Sequence, residues 1–141
     1  DFAGAVAARA AQKTAKPEYV FRGDGQHPND VFKQGFQAQG NNMDLYNHAA
    51  TNFNSGYVAT SKTPNIARDF AYENDGFVYT IKKPSNGVDV NKSLGEISPN
   101  AHEKEIAIPN SISSENIKGA RKVNENGRFT GSFIPNPTYR K

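Results

Sequence analysis

The apolar residues of this chain lie in short runs interrupted by glycine, proline or asparagine, and this pattern limits the fold more than any other feature. No run approaches the roughly 18 apolar residues that a membrane-spanning helix needs. With 141 residues, of which 35% are hydrophobic, the chain can bury one modest core. We therefore expect one domain of short helices and strands that has no membrane partner.

The first residues differ in composition from the rest. Residues 1–16 are rich in alanine and carry Arg9, Lys13 and Lys16, but they lack the apolar middle and cleavage pattern of a secretion signal. The chain also begins with Asp1 rather than methionine. We expect residues 1–16 to be a helical linker from a longer precursor and residues 17–141 to be the folded domain.

Composition also limits the kinds of site. The chain has no cysteine, and His27, His48 and His102 lack the close spacing of a metal site, so we predict neither a disulfide nor a bound metal. The net charge of +3 comes from scattered lysines and arginines rather than from a basic helix. We therefore predict no nucleic-acid partner, whereas an acidic protein surface remains a plausible one.

Capping signals and hydrophobic periodicity predict the individual elements. Pro28 and Pro64 suit the first turn of a helix. Helices are predicted over residues 27–35, 43–50 and 63–73, and strands over residues 19–22, 57–61, 77–81, 88–90 and 103–108, with one or two more after residue 111. Residues 133–141 are expected to trail over the surface. The sum indicates an α+β domain of mostly antiparallel sheet.

Few residues in these elements suggest chemistry when taken singly. An arginine that closes a strand, such as Arg22, is usually solvated or paired with a carboxylate. Thr60 and Ser61 end a strand, where hydroxyl residues commonly form a turn. Glu103 and Glu105 alternate along a predicted strand, so both carboxylates are expected on one face of it.

The order of these residues is more specific than any one of them. Phe21-Arg22-Gly23-Asp24 resembles the first-strand arginine of the cholera-toxin-like, Arg-Ser-Glu class of mono-ADP-ribosyltransferases. Residues 44–49 resemble that family's Asn-Leu-Tyr-Asp-His-Ala, and residues 56–61 its Gly-Tyr-Val-Ser-Thr-Ser. Residues 89–95, Ser98-Pro99 and Glu103-Lys104-Glu105 resemble its Asn-Val-Asn-Asp-Val-Leu-Gly, Ser-Pro and Glu-Gln-Glu. The resemblance covers most of the chain.

The resemblance implies a mixed, mostly antiparallel two-sheet core with short helices in the N-terminal half. It also implies transfer of ADP-ribose from NAD to an arginine of a target protein, with release of nicotinamide and no metal. The catalytic residues that it implies are Arg22, Thr60, Ser61, Glu103 and Glu105. The NAD-binding residues that it implies are Arg22, Gly23, Asp24, His48, Thr60, Ser61 and Phe70.

The two glutamates receive different roles from the resemblance. Glu105 would stabilise the oxocarbenium-like transition state and hold the nicotinamide ribose, and Glu103 would orient the guanidinium of the acceptor. A glutamate at position 103 implies arginine as the acceptor. Thr60 and Ser61 would orient Glu105 by hydrogen bonds.

The remaining implied residues would bind NAD. Arg22 would pair with a phosphate, and Gly23 would allow the backbone to approach it closely. His48 either contacts the ribose side of the cleft or is a buried histidine bonded to a backbone carbonyl. Phe70 is expected in the buried stripe of its helix with Ile66, Ala67 and Ala71, and a nicotinamide platform is the alternative.

One position departs from the family pattern, because Ala59 stands where the family has its first serine. The loss of one neutral hydrogen bond costs about 0.5–1.5 kcal/mol, so we still expect an active enzyme. The alternatives are an NAD glycohydrolase on the same fold and a non-catalytic NAD- or protein-binding module. We expect a toxin or effector that is secreted or translocated into a target cell, with an immunity protein covering the cleft if the victim is a rival bacterium.

Overall fold

The structure is a computed structural model that describes residues 16–141. Its helices are α1 (Pro28–Gln34), α2 (Leu45–Thr51), α3 (Pro64–Glu73) and α4 (Val90–Leu94). Its strands are β1 (Tyr19–Asp24), β2 (Phe36–Gln37), β3 (Tyr57–Ser61), β4 (Phe77–Lys82), β5 (Val88–Asp89), β6 (Glu105–Pro109), β7 (Ser111–Ile112), β8 (Ile117–Val123) and β9 (Phe129–Pro135). Short 3-10 turns cover Gly95–Ile97, Ala101–Glu103 and Ser114–Asn116.

The strands form two sheets. Seven of them are ordered β5-β6-β3-β1-β4-β8-β9, and β2 pairs with β7 in a separate sheet. Every ladder between these named strands is antiparallel. The predicted α+β class and the mostly antiparallel, two-sheet core are therefore confirmed.

The main core lies on the face of the large sheet that meets α1 and the small sheet. Val31 of α1, Phe36 of β2 and Ile112 of β7 are each at most 1% exposed. They pack with strand residues whose side chains alternate inward: Val20, Val58, Tyr79, Ile81, Ile106, Ile108, Ile117 and Ala120. This burial fixes which side chains of β1, β3 and β6 face away from the main core.

Helix α3 packs on the opposite face, with Ala67 and Ala71 buried against Val78 and Val123. It approaches β1 closely at Gly23, where an added Cβ would lie 2.0 Å from the carbonyl oxygen of Ala67. Gly23 is therefore needed first of all so that the helix can pack on the strand.

At the centre of the large sheet, β1 pairs with β3 over a much shorter length than it pairs with β4. Strand β1 has six partner pairs with β4, from Tyr19–Lys82 to Asp24–Phe77, but only Phe21–Ser61 with β3. The side chain of Arg22 adds a bond across this joint, because its Nη1 donates to the carbonyl oxygen of Ala59 at 2.8 Å. Because only one residue pair joins β1 to β3, the two strands separate beside Arg22.

Several element boundaries differ from the prediction, each for a local reason. Helix α2 begins at Leu45 rather than at residue 43, because Asp44 is its N-cap and accepts from the amide of Asn47 at 2.8 Å. Helix α4 was missed, and Asp89 caps it by accepting from the amide of Lys92. The expected surface tail is also wrong for residues 133–135, because β9 pairs with β8.

The prediction of a linker over residues 1–16 falls almost wholly outside the described residues, since only Lys16 is included in them. Within residues 16–141, no helix is long and apolar enough to cross a membrane.

Candidate functional site

A cavity of about 450 Å³ opens where β1 and β3 separate, which is within the range of small-molecule sites. Strand β1, the end of β3, helix α3 and the start of β6 contribute to its walls. Its lining includes most of the predicted site residues: Arg22, Gly23, Asp24, Thr60, Ser61, Phe70, Glu103 and Glu105. Of the predicted site residues, His48 alone is not in the lining, because it lies behind Glu105.

Arg22 is held in place but keeps donors for a ligand. Its Nε donates to Asp24 Oδ2 at 3.1 Å, its Nη2 lies 2.9 Å from the same oxygen, and its Nη1 donates to Ala59. The guanidinium also stacks over the Phe36 ring at 5.1 Å. Because a guanidinium carries five N–H groups, two remain for an anion in the cavity.

Glu105 is the first residue of β6 and is nearly buried, with 9% exposure. Its Oε2 is hydrogen-bonded to Nε2 of His48 on α2. The other ring nitrogen of His48, Nδ1, lies 2.6 Å from Oγ of Ser55. This contact is a finding that the sequence did not reveal: His48 is buried, but its partner is the carboxylate and not a backbone carbonyl.

Glu103 lies two residues before Glu105 in a different local structure. It ends the 3-10 turn Ala101–Glu103, and Lys104 after it has left-handed angles, with φ 49° and ψ 51°. The prediction that both glutamates alternate on one strand is therefore wrong, although both reach the same cavity. Lys104 is the left-handed C-cap that ends the turn, and strand β6 begins at the next residue, Glu105.

The electrostatics of the pair follow from this placement. Burial raises the pKa of the Glu103 carboxyl, and the neighbouring charge of Glu105 raises it further, while His102 and His48 oppose the shift. No side chain among the described residues donates a hydrogen bond to the Glu103 carboxylate. Glu103 is therefore a carboxyl group with an elevated affinity for a proton and with free acceptor oxygens.

Thr60 and Ser61 support the site in a different way from the prediction. Thr60 Oγ1 donates to the carbonyl oxygen of Ile106 at 2.6 Å, and Ser61 Oγ donates to that of Glu103 at 2.7 Å. Neither hydroxyl is hydrogen-bonded to the Glu105 carboxylate, so any orienting effect on Glu105 acts through the backbone. These two hydrogen bonds connect the backbone on each side of Glu105 to β3.

Three predicted NAD-binding residues occupy distinct positions on the opposite wall. Asp24 binds Arg22 and accepts from the amide of Gln26 at 2.8 Å, which fixes the end of β1. An added Cβ on Gly23 would meet α3, so glycine is required there for packing, and Gly23 also lines the cavity. Phe70 is 40% exposed and borders the cavity, so its predicted place in the buried stripe is wrong and the stripe consists of Ala67 and Ala71.

Among residues 16–141, no group of three or more histidine, aspartate or glutamate side chains has the arrangement of a metal site. The cavity walls instead combine one guanidinium, an exposed aromatic ring and three carboxylates, one of which, Asp24, is paired with the guanidinium. Such walls suit an organic ligand that has an anionic part and a part that becomes cationic.

Comparisons with known proteins agree with this geometry. A profile of the Scabin-like family matches residues 20–139. Pierisin from Pieris brassicae is 32% identical over 132 residues, which are 85% of this chain and 15% of that protein. A guanine-specific ADP-ribosyl transferase from Streptomyces coelicolor is 31% identical over 107 residues, or 74% of this chain and 51% of that protein. This chain thus spans about half the length of one relative and far less of the other.

Solved structures give the same result at the level of the fold. A guanine-specific ADP-ribosyltransferase superposes with a TM-score of 0.81 and 27% identity, covering 90% of this chain and 81% of that one. Scabin toxin from Streptomyces scabies, solved in complex with NADH, superposes with a TM-score of 0.79 and 29% identity, covering 89% and 78%. The match over residues 20–139 shows that this chain belongs to the Scabin-like family of ADP-ribosyltransferases.

Proposed function

We propose that this chain is the catalytic domain of a toxin or effector that transfers ADP-ribose from NAD to an arginine of a target protein. The observation that carries the proposal is the meeting of Arg22, Glu103 and Glu105 at one cavity. A cation on one wall suits the pyrophosphate of NAD, and carboxylates on the other suit the positive charge that develops at the ribose.

Binding of NAD is supported by a structural relative and by the residues present. The relative, Scabin toxin, was solved with NADH. In this chain the two unused N–H groups of Arg22 would bind a phosphate, and the exposed face of Phe70 would offer an apolar surface to a flat ring. Asp24 would keep the guanidinium in position while the phosphate binds.

The bond between nicotinamide and ribose would break first in this scheme. Nicotinamide leaves with the bonding electrons, and positive charge spreads over the ribose ring. The carboxylate of Glu105, fixed by His48, would lie against that charge and stabilise it more in the transition state than in bound NAD. A nitrogen of the acceptor then forms the new bond to the ribose carbon and gives up one proton.

Glu103 supports arginine as the acceptor. A guanidinium is planar and stays protonated near neutral pH, so its attack must be coupled to removal of a proton. The Glu103 carboxylate has free oxygens to orient such a group, and its raised pKa makes it a stronger base than an ordinary glutamate.

Guanine is a second candidate acceptor, because two matched relatives are named as guanine-specific. Its amino group offers N–H donors that a carboxylate could also accept. None of the helices among residues 16–141 carries a cluster of basic residues that would hold a nucleic acid, and this favours the protein acceptor over DNA.

A direct experiment separates these candidates. The chain is incubated with isotopically labelled NAD and, in separate reactions, with an arginine-containing peptide, the same peptide with lysine for arginine, guanosine, and duplex DNA. Mass spectrometry of the products is expected to show one ADP-ribose on the arginine peptide alone. ADP-ribose on guanosine or DNA would show that guanine is the acceptor. Free ADP-ribose alone would indicate a glycohydrolase, and intact NAD would refute the proposal that the chain is an enzyme.

The wider context of the chain follows from the same proposal. We expect it to act after secretion or translocation into a target cell, as toxins must. If the target is a rival bacterium, the producing cell needs an immunity protein, and the cavity at Arg22 and Glu105 is the surface that such an inhibitor would cover.

A further inference from the structure

Ser55 is buried behind the cavity and takes part in a chain of hydrogen bonds that ends at Glu105. It is 1% exposed, and His48 is 3% exposed. Ser55 Oγ lies 2.6 Å from His48 Nδ1 and accepts from the amide of Tyr57 at 3.0 Å. The other nitrogen of His48 reaches Oε2 of Glu105.

The backbone around Ser55 is anchored independently of the histidine. Its carbonyl oxygen accepts from the amide of Gly40 at 2.9 Å, and Ser55 forms an isolated bridge with Asn42. The ring of His48 also packs against that of Tyr57, with 5.2 Å between centroids. Ser55 is therefore a fixed point, and the imidazole is held between it and Glu105.

The positions of the protons in the hydrogen bonds from Ser55 through His48 to Glu105 can be assigned by counting donors and acceptors. An ionised carboxylate only accepts, so Nε2 of His48 must carry a proton to bind Glu105. If Nδ1 also carried one, Ser55 Oγ would accept from both His48 and Tyr57, and its own hydroxyl proton would have no partner among the described residues. A neutral ring with Nδ1 unprotonated satisfies every group, because Ser55 then donates to Nδ1.

We propose that Ser55 is a positioning residue that donates to Nδ1 of His48, fixes the ring together with Glu105 as the Nε2–H tautomer, and so holds the Glu105 carboxylate in its orientation toward the cavity. This inference rests on the proposed function only for its catalytic consequence. Ser61 is the ladder partner of Glu105 on β3, but its hydroxyl donates to the carbonyl oxygen of Glu103 and not to the Glu105 carboxylate. Ala59, on the same face of β3, has no side-chain donor. His48 is thus the only side chain among residues 16–141 that binds it.

The tautomer can be measured without any activity. The protein is labelled with ¹⁵N-histidine, and the ring resonances that disappear in the His48→Gln variant are assigned to His48. The parent is expected to show a protonated Nε2 and an unprotonated Nδ1, and Ser55→Ala is expected to show a mixture of both tautomers. A parent ring protonated at Nδ1, or an unchanged tautomer in Ser55→Ala, would overturn the proposal.

Kinetics test the consequence for Glu105. Ser55→Ala should lower kcat for NAD cleavage roughly tenfold while leaving KM for NAD within about twofold, because one orienting hydrogen bond is lost and Ser55 does not line the cavity. Adding Ser55→Ala to His48→Gln should cause no further loss. A full tenfold loss in the His48→Gln background would show that Ser55 acts through folding alone.

A matched control is available at Ser113, whose Oγ accepts from the amide of Glu115 at 3.3 Å, also two residues later, with no histidine beside it. Ser113→Ala should leave both kinetic constants unchanged. If the parent fails to cleave NAD at all, the proposed function is refuted, and the histidine resonances still decide the role of Ser55.

Discussion

Glu103 and Glu105 are two residues apart and border the same cavity, yet they are held in opposite ways. Glu105 starts a strand, is nearly buried and is bonded to His48. Glu103 ends a 3-10 turn, is partly exposed and accepts no side-chain hydrogen bond among residues 16–141. Under the proposed function we infer a division of roles, in which the fixed carboxylate would face NAD and the less constrained one would meet an acceptor that arrives from solvent.

The largest effect is expected from removing the charge of the fixed carboxylate. Glu105→Gln should lower kcat for NAD cleavage about 10²- to 10³-fold, because the developing charge on the ribose loses its anionic partner. Release of nicotinamide measures this directly. Glu96→Gln, an exposed glutamate in the turn Gly95–Ile97, is the control and should behave like the parent.

The second effect concerns pH. Because burial and the charge of Glu105 raise the pKa of Glu103, transfer to the acceptor should fall about tenfold per pH unit below that elevated value, where the carboxyl is protonated. Glu103→Gln should abolish this limb of the profile. A parent profile that is flat down to the ordinary pKa range of glutamate would show that Glu103 does not act as the base.

The same shift predicts a change in stability with the opposite sign. Since the folded-state pKa is raised, Glu103 favours the folded state at low pH, and that contribution is lost as pH rises through the elevated pKa. Urea unfolding of the parent and of Glu103→Gln across this range measures it. The decline with pH should be shallower in the variant.

A smaller effect is expected from the two hydroxyls that fasten the backbone on each side of Glu105. Ser61→Ala should loosen the turn of Glu103 and lower transfer by up to about tenfold, with NAD cleavage less affected, since about 1 kcal/mol of hydrogen bonding is lost. Thr60→Val should instead destabilise the fold by about 1 kcal/mol, because the buried carbonyl of Ile106 loses the Thr60 hydroxyl as a donor. Equal effects of Ser61→Ala and Thr60→Val on transfer would show that the backbone at Glu103 and the backbone at Ile106 do not differ in their roles.

The smallest effect concerns the residue between the glutamates. Lys104 has left-handed backbone angles, which glycine adopts without strain and a β-branched residue does not. Lys104→Gly should leave the free energy of unfolding within about 1 kcal/mol of the parent, and Lys104→Val should lower it by about 1–2 kcal/mol. Equal stability of the two variants would show that the turn is not fixed by this residue.

The sequence predicted the parts of this site that depend on local pattern. Alternation and turn residues correctly indicated strands at residues 19–22, 57–61 and 77–81. The catalytic residues that the resemblance implies all line one cavity: Arg22, Thr60, Ser61, Glu103 and Glu105. Their catalytic roles stay predictions.

The features that it missed depend on contacts between distant residues or on backbone angles. His48 and Glu105 are 57 residues apart, and no local pattern pairs them. The left-handed Lys104 interrupts an alternation that continues in the sequence, so Glu103 was placed on the strand. Phe70 follows the helical period of Ala67, but the part of the helix that lies against Gly23 is its backbone at Ala67 and Ala71, and Phe70 borders the cavity instead.

The most direct test of the two roles is the partition of ADP-ribose between acceptor and water in Glu103→Gln. Labelled NAD is supplied with the arginine peptide, and peptide-bound and free ADP-ribose are quantified in the same reaction. We expect NAD cleavage within about threefold of the parent and transfer reduced about a hundredfold, so that most ADP-ribose is free. Equal losses of cleavage and transfer, or an unchanged partition, would contradict the division of roles between Glu103 and Glu105.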